Sequence, residues 1–134
     1  MIKVHINITG SNFINNQANS TTSTWSNGGS IYTGWGTNGT INYCNFINNF
    51  ASHNGGAVID QGTNFNISYC NFNNNYISYD QSYSGGGGVY ISGTSNGTFL
   101  RSNFNNNKPM LNDSISYISG GGGAINLGST WSYK

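Results

Sequence analysis

Apolar residues in this chain stand mostly alone, and over short runs they alternate with Asn, Ser, Thr or Gly. In the run FNISYCNF, Phe65 and Ile67 occupy one parity. Cys70 and Phe72, further along the same run, occupy the other parity. A period of two is typical of β-strands, because successive side chains point to opposite faces. The change of parity at 68–69 predicts a two-residue bend that lets both pairs face one interior.

The same run recurs along the chain, which indicates a repeat protein. The aligned copies are INITGSNFINN (6–16), GTINYCNFINN (39–49), FNISYCNFNNN (65–75) and GTFLRSNFNNN (97–107). Each copy is followed by a Gly pair with a small or apolar pair, namely GGSI (28–31), GGAV (55–58), GGGV (86–89) and GGAI (122–125). The segment before each Gly pair varies in length, whereas the segment after it is nearly constant. This combination predicts a solenoid with a constant body and one variable loop. We expect a single domain over 1–134, with repeat units of approximately 5–38, 39–64, 65–96 and 97–134.

Three short strands per repeat, with bends between them, predict a parallel β-helix of about four coils. Coils that stack at the spacing of β-strands bring like residues above one another. The predicted inward columns are Ile8/Ile41/Ile67/Phe99, Ser11/Cys44/Cys70/Ser102, Phe13/Phe46/Phe72/Phe104 and Ile31/Val58/Val89/Ile125. A further column is predicted at a turn, where Asn tolerates a left-handed backbone and amides can hydrogen-bond along the stack. Its members are Asn16, Asn49, Asn75 and Asn107.

The motifs GG[A/S/G][I/V] and FxxN alternate in four copies over roughly residues 5–127. In this they resemble the repeats of chlamydial polymorphic membrane proteins. With the C-N-F-x-N-N context and the Asn richness, they are still more similar to the adhesin-like surface proteins of methanogenic archaea. The resemblance implies an all-β fold, a single-stranded right-handed parallel β-helix of the pectin-lyase-like type. It also implies a non-catalytic module that is extracellular or at the cell surface and works in adhesion or as envelope structure.

The composition narrows the classes of partner. Of 134 residues only four are basic and three acidic, for a net charge of +1. So few charges give no electrostatic footprint for nucleic acid or an anionic membrane. No apolar run approaches the roughly 20 residues needed to span a bilayer, so no transmembrane segment is expected. The start, MIKVHINITG, lacks the apolar region of a signal peptide. An exported form is therefore expected to be a mature piece or an excised module.

Enzymatic activity is not expected from the inventory of reactive side chains. The acids are Asp60, Asp80 and Asp113, with no Glu, and they fall at different points of the repeat. Enzymes that cleave polysaccharides need clustered carboxylates. His5 and His53 have no Cys or carboxylate at ligand spacing. We therefore expect no catalytic residue, metal or cofactor. The alternative is a shared carboxylate or calcium site between the loops of Asp80 and Asp113, which come from adjacent coils.

The two cysteines, Cys44 and Cys70, occupy the same place in successive coils, where Ser11 and Ser102 stand in the outer ones. The favoured interpretation is a pair of free, buried thiols that pack as small hydrophobic groups. A disulfide is the alternative, because stacked Cα atoms lie within the roughly 4.4–6.8 Å that it allows. In-register parallel neighbours seldom offer its dihedral angle, so free thiols remain the prediction.

Aromatic residues that are predicted to face outward form a candidate contact surface. Tyr43 and Tyr69 stack at the bend, with Arg101 one coil further on at a position suited to a cation–π contact. The variable loops contribute Trp25, Tyr76, Tyr79, Tyr83 and Tyr117. Tyr and Trp among Asn and Ser make good contact surfaces for proteins or sugars. The alternative is that these rings cover the flank of a small core.

The ends of a β-helix expose unpaired backbone, and no amphipathic capping helix is predicted at either terminus. We expect the ends to stack on a second copy, which builds a self-assembled filament, or on neighbouring repeats of a longer cell-surface solenoid. The variable loops then present an adhesive surface to a host cell or a glycan. The alternative function is a carbohydrate-binding β-helix domain. An ice-binding protein and a polysaccharide lyase are weaker alternatives, since T-x-T occurs only at 22–24 and the carboxylates are scattered.

Overall fold

The computed structural model describes residues 3–20, 26–60, 64–79, 85–91, 96–111 and 123–127. Within these ranges the chain forms sixteen β-strands and no helix. Every pairing between these strands is parallel. The protein is therefore all-β, as the alternating pattern predicts.

The described strands group into four sheets of four strands each. The first sheet contains β1 (Val4–Thr9), β5 (Thr37–Asn42), β9 (Asn64–Ser68) and β13 (Asn96–Leu100). The second contains β2 (Asn12–Ile14), β6 (Asn45–Ile47), β10 (Asn71–Asn73) and β14 (Asn103–Asn105). The third contains β3 (Gln17–Ala18), β7 (Phe50–Ala51), β11 (Tyr76–Tyr79) and β15 (Lys108–Leu111). The fourth contains β4 (Ile31–Thr33), β8 (Val58–Asp60), β12 (Val89–Ile91) and β16 (Ile125–Leu127).

The chain visits the four sheets in a constant order, so that four consecutive strands, one from each sheet, make one repeat. Equivalent strands of successive repeats pair in register. In the first sheet, for example, Ile41 lies between Ile8 and Ile67. Parallel sheets that stack in register in this way are consistent with a parallel β-helix or solenoid.

Each repeat contains four strands rather than the expected three. The strands of the third sheet lie in the segment that the alignment predicts as variable loop. They are short, and in β7 only Ala51 is buried. Two residues are too few to show an alternating pattern, which is why this strand cannot be recognised from the sequence. The variable connection follows it, from Ala18 to Ile31 in the first repeat but only from Ala51 to Val58 in the second.

Two columns of left-handed residues turn the chain on either side of the second sheet. The first column lies at the predicted bend and comprises Gly10, Tyr43, Tyr69 and Arg101, with φ of 61°, 54°, 53° and 47°. The second column comprises Asn15, Asn48, Asn74 and Asn106, with φ of 57°, 54°, 53° and 49°. Asn adopts this conformation more readily than most residues, because its short polar side chain can hydrogen-bond locally. Successive repeats therefore bend at equivalent residues.

The left-handed Asn precedes the residue to which the sequence analysis assigned it. The sequence pattern predicts that one residue per repeat combines stacking with a left-handed backbone, namely Asn16, Asn49, Asn75 and Asn107. This prediction of the backbone is wrong. Positive φ belongs to the preceding Asn of each pair, which is exposed at the corner, while Asn49 and Asn75 are fully buried. The two roles are divided between consecutive residues because the corner residue points outward and the next one points inward.

The two residues of the recurring Gly pair have different roles. Gly55 has a φ of 59° and supplies a left-handed turn. A Cβ added to Gly56 would clash with the carbonyl oxygen of Gly87 and would lie 2.6 Å from that of Tyr76. No side chain fits there, because the backbones of adjacent repeats approach too closely. The motif is thus required by stacking as well as by the turn.

The core consists of equivalent side chains from the middle repeats. Fully or almost fully buried members are Ile41, Phe46, Val58, Ile67, Phe72 and Val89. The corresponding residues of the outer repeats are only partly buried, and they are Ile8, Phe13, Ile31, Phe99 and Phe104. A smaller cluster under the third sheet joins Ala51 and Ile77 with Ala18. Burial thus decreases from the middle of the stack toward both ends.

Candidate functional site

The most ordered polar feature is a ladder of buried Asn amides that we call the inner Asn ladder. It comprises Asn16, Asn49, Asn75 and Asn107. Within it, Nδ2 of Asn49 donates to Oδ1 of Asn75 at 2.8 Å, and Nδ2 of Asn75 donates to Oδ1 of Asn107 at 2.8 Å. The same oxygens accept the backbone N–H groups of Asn49 and Asn75, each at 3.0 Å.

The ladder has a fixed polarity. The second hydrogen of the Asn75 amide is donated to the carbonyl oxygen of Phe46 at 2.9 Å. A flipped amide would place its oxygen against that carbonyl oxygen, which has no proton to donate. Asn49 and Asn107 make the same contact, to the carbonyls of Phe13 and Phe72. The amides of Asn16, Asn49 and Asn75 therefore each donate one hydrogen to the amide oxygen of the next repeat, so amide-to-amide donation runs from an earlier repeat to a later one.

A ladder of Phe rings stands beside the inner Asn ladder. Its members are Phe13, Phe46, Phe72 and Phe104, with neighbouring ring centroids 4.8, 4.6 and 4.6 Å apart. The planes are inclined by only 3° to 4°. Aromatic pairs on their own prefer offset or edge-to-face packing. The in-register strands, whose spacing is about 4.8 Å, therefore determine this geometry.

Cys44 and Cys70 are free and completely buried. The backbone N–H of Cys44 points at the Cys70 sulfur at 3.4 Å, and the Cys70 thiol donates to the carbonyl oxygen of Ser68 at 3.2 Å. The N–H of Cys70 donates in turn to Oγ of Ser102 at 3.2 Å. Burial raises the pKa of the Cys70 thiol from 9.0 to about 11, so this group is protonated at neutral pH. Its environment is that of an inert structural cysteine.

The predicted exposed column at the bend is assembled in the structure. The rings of Tyr43 and Tyr69 stack with centroids 4.9 Å apart and planes 10° apart. The guanidinium carbon of Arg101 lies 5.7 Å from the centroid of the Tyr69 ring, within cation–π range. Nη1 of Arg101 also donates to the Tyr69 hydroxyl at 3.3 Å. At the first repeat, Gly10 leaves open space beside this column.

A groove on the side of the stack brings together residues that the sequence analysis did not group. It has a volume of about 380 Å³ and is lined by Asn48, Asn74, Tyr76, Asn106, Lys108 and Met110. We call it the corner groove, because its Asn residues form the second left-handed corner. Only Tyr76 was a predicted contact residue. The sequence does contain a sign of this row of corner residues, because the Asn that precedes each residue of the inner Asn ladder also recurs in all four repeats.

Other predicted contact residues fall outside the part of the chain that the structure describes. Trp25, Tyr83 and Tyr117 lie outside the described residues, as does the side chain of Tyr79, whose backbone belongs to β11. Asp80 and Asp113 also lie outside them, so the alternative carboxylate site between those loops stays a prediction. Within the part of the chain that the structure describes, no three His, Cys, Asp or Glu residues form a candidate metal site.

The fold and its ladders define an all-β protein of parallel sheets stacked in register around buried Asn and Phe columns. Comparison of the chain with protein-family models, curated proteins and solved structures finds no match. The described residues contain no helix of the length and apolarity that crossing a membrane requires.

Proposed function

We propose that this protein is a non-catalytic structural module of an extracellular or cell-surface protein, built as a right-handed parallel β-helix of about four coils that stacks end to end. One observation carries the proposal. The outer repeats place apolar side chains in the same columns as the middle repeats, yet those side chains are only partly buried. Phe46 and Phe72 are fully buried, each between two stacked rings, whereas Phe13 and Phe104 have a stacked ring on one side only among the described residues. A further coil at either end completes this packing.

The hydrogen-bond ladders determine which ends fit together. In the described part of the chain, Oδ1 of Asn16 has no donor, and the backbone N–H of Asn107 has no acceptor. These groups are the two ends of one polar ladder. If the last repeat of one copy meets the first repeat of the next, Asn107 donates to Asn16 as Asn75 donates to Asn107. In a head-to-head contact, two Asn16 oxygens oppose each other without a proton between them.

A second amide ladder on the outer face of the second sheet supports the same orientation. Asn45 donates to Oδ1 of Asn12 at 2.8 Å, and Asn103 donates to Oδ1 of Asn71 at 3.0 Å. This outer ladder has the opposite polarity to the inner one, so its open ends are also complementary only head to tail. Such a heterologous contact does not close, and it propagates into a filament.

The edge of the third sheet is less suited to pairing. The N–H of Lys108 points back into the stack, toward the carbonyl oxygen of Asn75 at 3.0 Å. In a parallel ladder, the N–H of the next residue points to the opposite side. That residue is Pro109, which has no N–H to donate. We therefore assign the contact mainly to the second sheet, around Phe104, and regard Pro109 as a restraint on it.

Neighbouring repeats of a longer solenoid are an equivalent partner, because they present the same columns. The adhesive role rests on the resemblance to adhesin-like repeats and on exposed rings such as Tyr43 and Tyr69. Its target is a protein or glycan surface. Scarcity of acids, three Asp and no Glu, supports a non-catalytic role.

The test is sedimentation velocity and electron microscopy over a range of concentrations. Exposed Asn12 and Asn103 are neighbours across the proposed contact. Asn12→Lys with Asn103→Lys should weaken association by like-charge repulsion, whereas Asn12→Asp with Asn103→Lys should restore it. The control, Asn12→Lys with Asn71→Lys, has equal net charge without the opposed pair. A wild-type chain that stays monomeric at the highest concentration would overturn self-stacking.

A further inference from the structure

We infer that the corner groove is a binding site for a saccharide chain that runs along the stack. The groove crosses three repeats, because its Asn residues belong to the second, third and fourth repeats. Its volume of about 380 Å³ is at the lower end of the range for ligand sites. It lies on the side of the stack rather than on an end face. The inference therefore goes beyond the proposed stacking and stands without it.

The polar wall of the groove is a row of exposed amides. Asn106 donates its Nδ2 to Oδ1 of Asn74 at 2.7 Å. Neither Nδ2 of Asn74 nor the side chain of Asn48 has a hydrogen-bond partner among the described residues. An amide carries both a donor and an acceptor, so it matches a pair of adjacent hydroxyl groups. The left-handed corner fixes the backbone beneath each amide, with φ of 53° at Asn74, which limits the entropy lost on binding.

Beside the amides, the groove has an apolar and aromatic wall formed by Tyr76 and Met110. The ring of Tyr76 packs against that of Phe50, with centroids 4.9 Å apart, so its position is supported from the preceding repeat. Met110 extends this wall and is half exposed, at 51%. A sugar ring has a face of C–H groups and a rim of hydroxyls. The aromatic wall is complementary to the C–H face, and the row of amides beside it is complementary to the hydroxyls.

Lys108 pairs directly beside Tyr76 and is the one charged residue among the described groove residues. Its ammonium group can donate to hydroxyls of a neutral sugar or pair with the carboxylate of an acidic one. Neutral and acidic sugars share an array of hydroxyls, and a substitution of Lys108 distinguishes between these two kinds of sugar.

Other polymers fit the groove less well. An extended peptide binds best to an unpaired strand edge. The groove lies over β11, which is paired on both sides, and reaches the outer strand β15, where Pro109 has no N–H to donate. Nucleic acid requires a cluster of basic residues, and the groove has Lys108 alone among its described residues. A saccharide requires neither an open edge nor a high positive charge.

The experiment is a titration of the isotopically labelled full chain with cellohexaose, N-acetylchitohexaose and hexagalacturonate, followed by amide NMR. Binding of at least one hexasaccharide should shift the side-chain amide signals of Asn48, Asn74 and Asn106. Tyr76→Leu removes the aromatic face, and Asn74→Gly removes the amide but keeps the left-handed backbone. Each should weaken binding at least about tenfold. Tyr32→Leu, which changes an exposed ring of the fourth sheet, is the matched control.

Lys108→Gln separates the two kinds of sugar. It should abolish binding of hexagalacturonate if the site takes acidic chains, and change the affinity for the neutral hexasaccharides little if it takes those. The proposal is overturned if none of the three probes shifts the groove amides at millimolar concentration. It is also overturned if Tyr32→Leu weakens binding as much as Tyr76→Leu does.

Discussion

Asn49 directs two hydrogen bonds at a single oxygen of Asn75: its amide donates at 2.8 Å and its backbone N–H at 3.0 Å. One side-chain oxygen therefore completes the hydrogen bonding of a buried backbone group and of a buried side chain in the adjacent repeat. Asn is required at the buried position 75. Asp lacks the N–H that Asn75 donates to the carbonyl oxygen of Phe46, and an apolar residue lacks both this donor and the accepting oxygen.

Substitution of Asn75 by Ala is expected to destabilise the fold by about 3 kcal/mol or more. It leaves the N–H and Nδ2 of Asn49 without their acceptor, and each buried unsatisfied group costs about 1–3 kcal/mol. Urea denaturation measures the change. Asn71→Ala, in the exposed outer ladder of the same repeat, is the control and should change stability by less than about 1 kcal/mol. Equal losses in the two variants would contradict a special role for the inner ladder.

Substitution of Gly56 by Ala should be more damaging than its single added methyl group implies. The new Cβ would meet backbone atoms of Gly87 and Tyr76, which cannot move without separating two repeats. We expect a loss of about 3 kcal/mol or more in the free energy of unfolding. Gly34→Ala, whose Cβ meets only the Tyr32 ring at 3.9 Å, should be close to neutral. Thermal melting of both variants is the measurement, and a neutral Gly56→Ala would show that the repeats are not so closely packed.

The Cys70 thiol should make stability fall as the pH rises above 9. Its pKa is raised by burial to about 11 in the folded state, so the fold favours the protonated thiol. This contribution is fully present below the unfolded pKa of about 8.5–9 and is lost as the pH approaches 11. Cys70→Ser should remove that part of the decline, since Ser102 occupies the same column in the next repeat. Tyr90, whose pKa burial also raises, titrates in both proteins and cancels in the comparison. The free energy of unfolding is measured against pH for both proteins, and superimposable curves between pH 8 and 11 would contradict this prediction.

Replacing Pro109 by Thr should strengthen end-to-end association. The change restores an N–H on the outward edge of the third sheet, next to Lys108, which already pairs inward. We expect larger assemblies at a given concentration by sedimentation velocity. Met110→Thr, one position further along β15, supplies the control for composition. Association that is unchanged in Pro109→Thr but increased in Met110→Thr would show that the edge backbone is not what limits stacking.

The sequence carries enough information for the stack and for the exposed column at the bend, but not for the third sheet or the corner groove. Register follows from recurrence, because Phe46 and Phe72 occupy equivalent places in aligned segments and a parallel sheet pairs equivalent residues. The third sheet escapes prediction, because β7 has only two residues.

The corner groove escapes prediction for a different reason. Its walls come from Asn74 at a corner and from Tyr76 on the following strand, and their convergence depends on which side of the corner each residue faces. The same uncertainty explains the wrong assignment of the left-handed backbone. Two adjacent Asn residues are indistinguishable by composition, and only the three-dimensional bend separates the outward one from the inward one.

Within each repeat the two left-handed corners and the inner Asn residue come before the connection between the third and fourth sheets. That connection already differs in length between the first two repeats, from Ala18 to Ile31 and from Ala51 to Val58. Lengthening a flexible loop costs only about 0.6 kcal/mol per doubling. A mutation that inserts or deletes residues in this connection ahead of the closely packed Gly pair therefore changes the exposed surface and leaves the stacked sheets intact. The architecture lets its outer surface diversify at little thermodynamic risk to the scaffold.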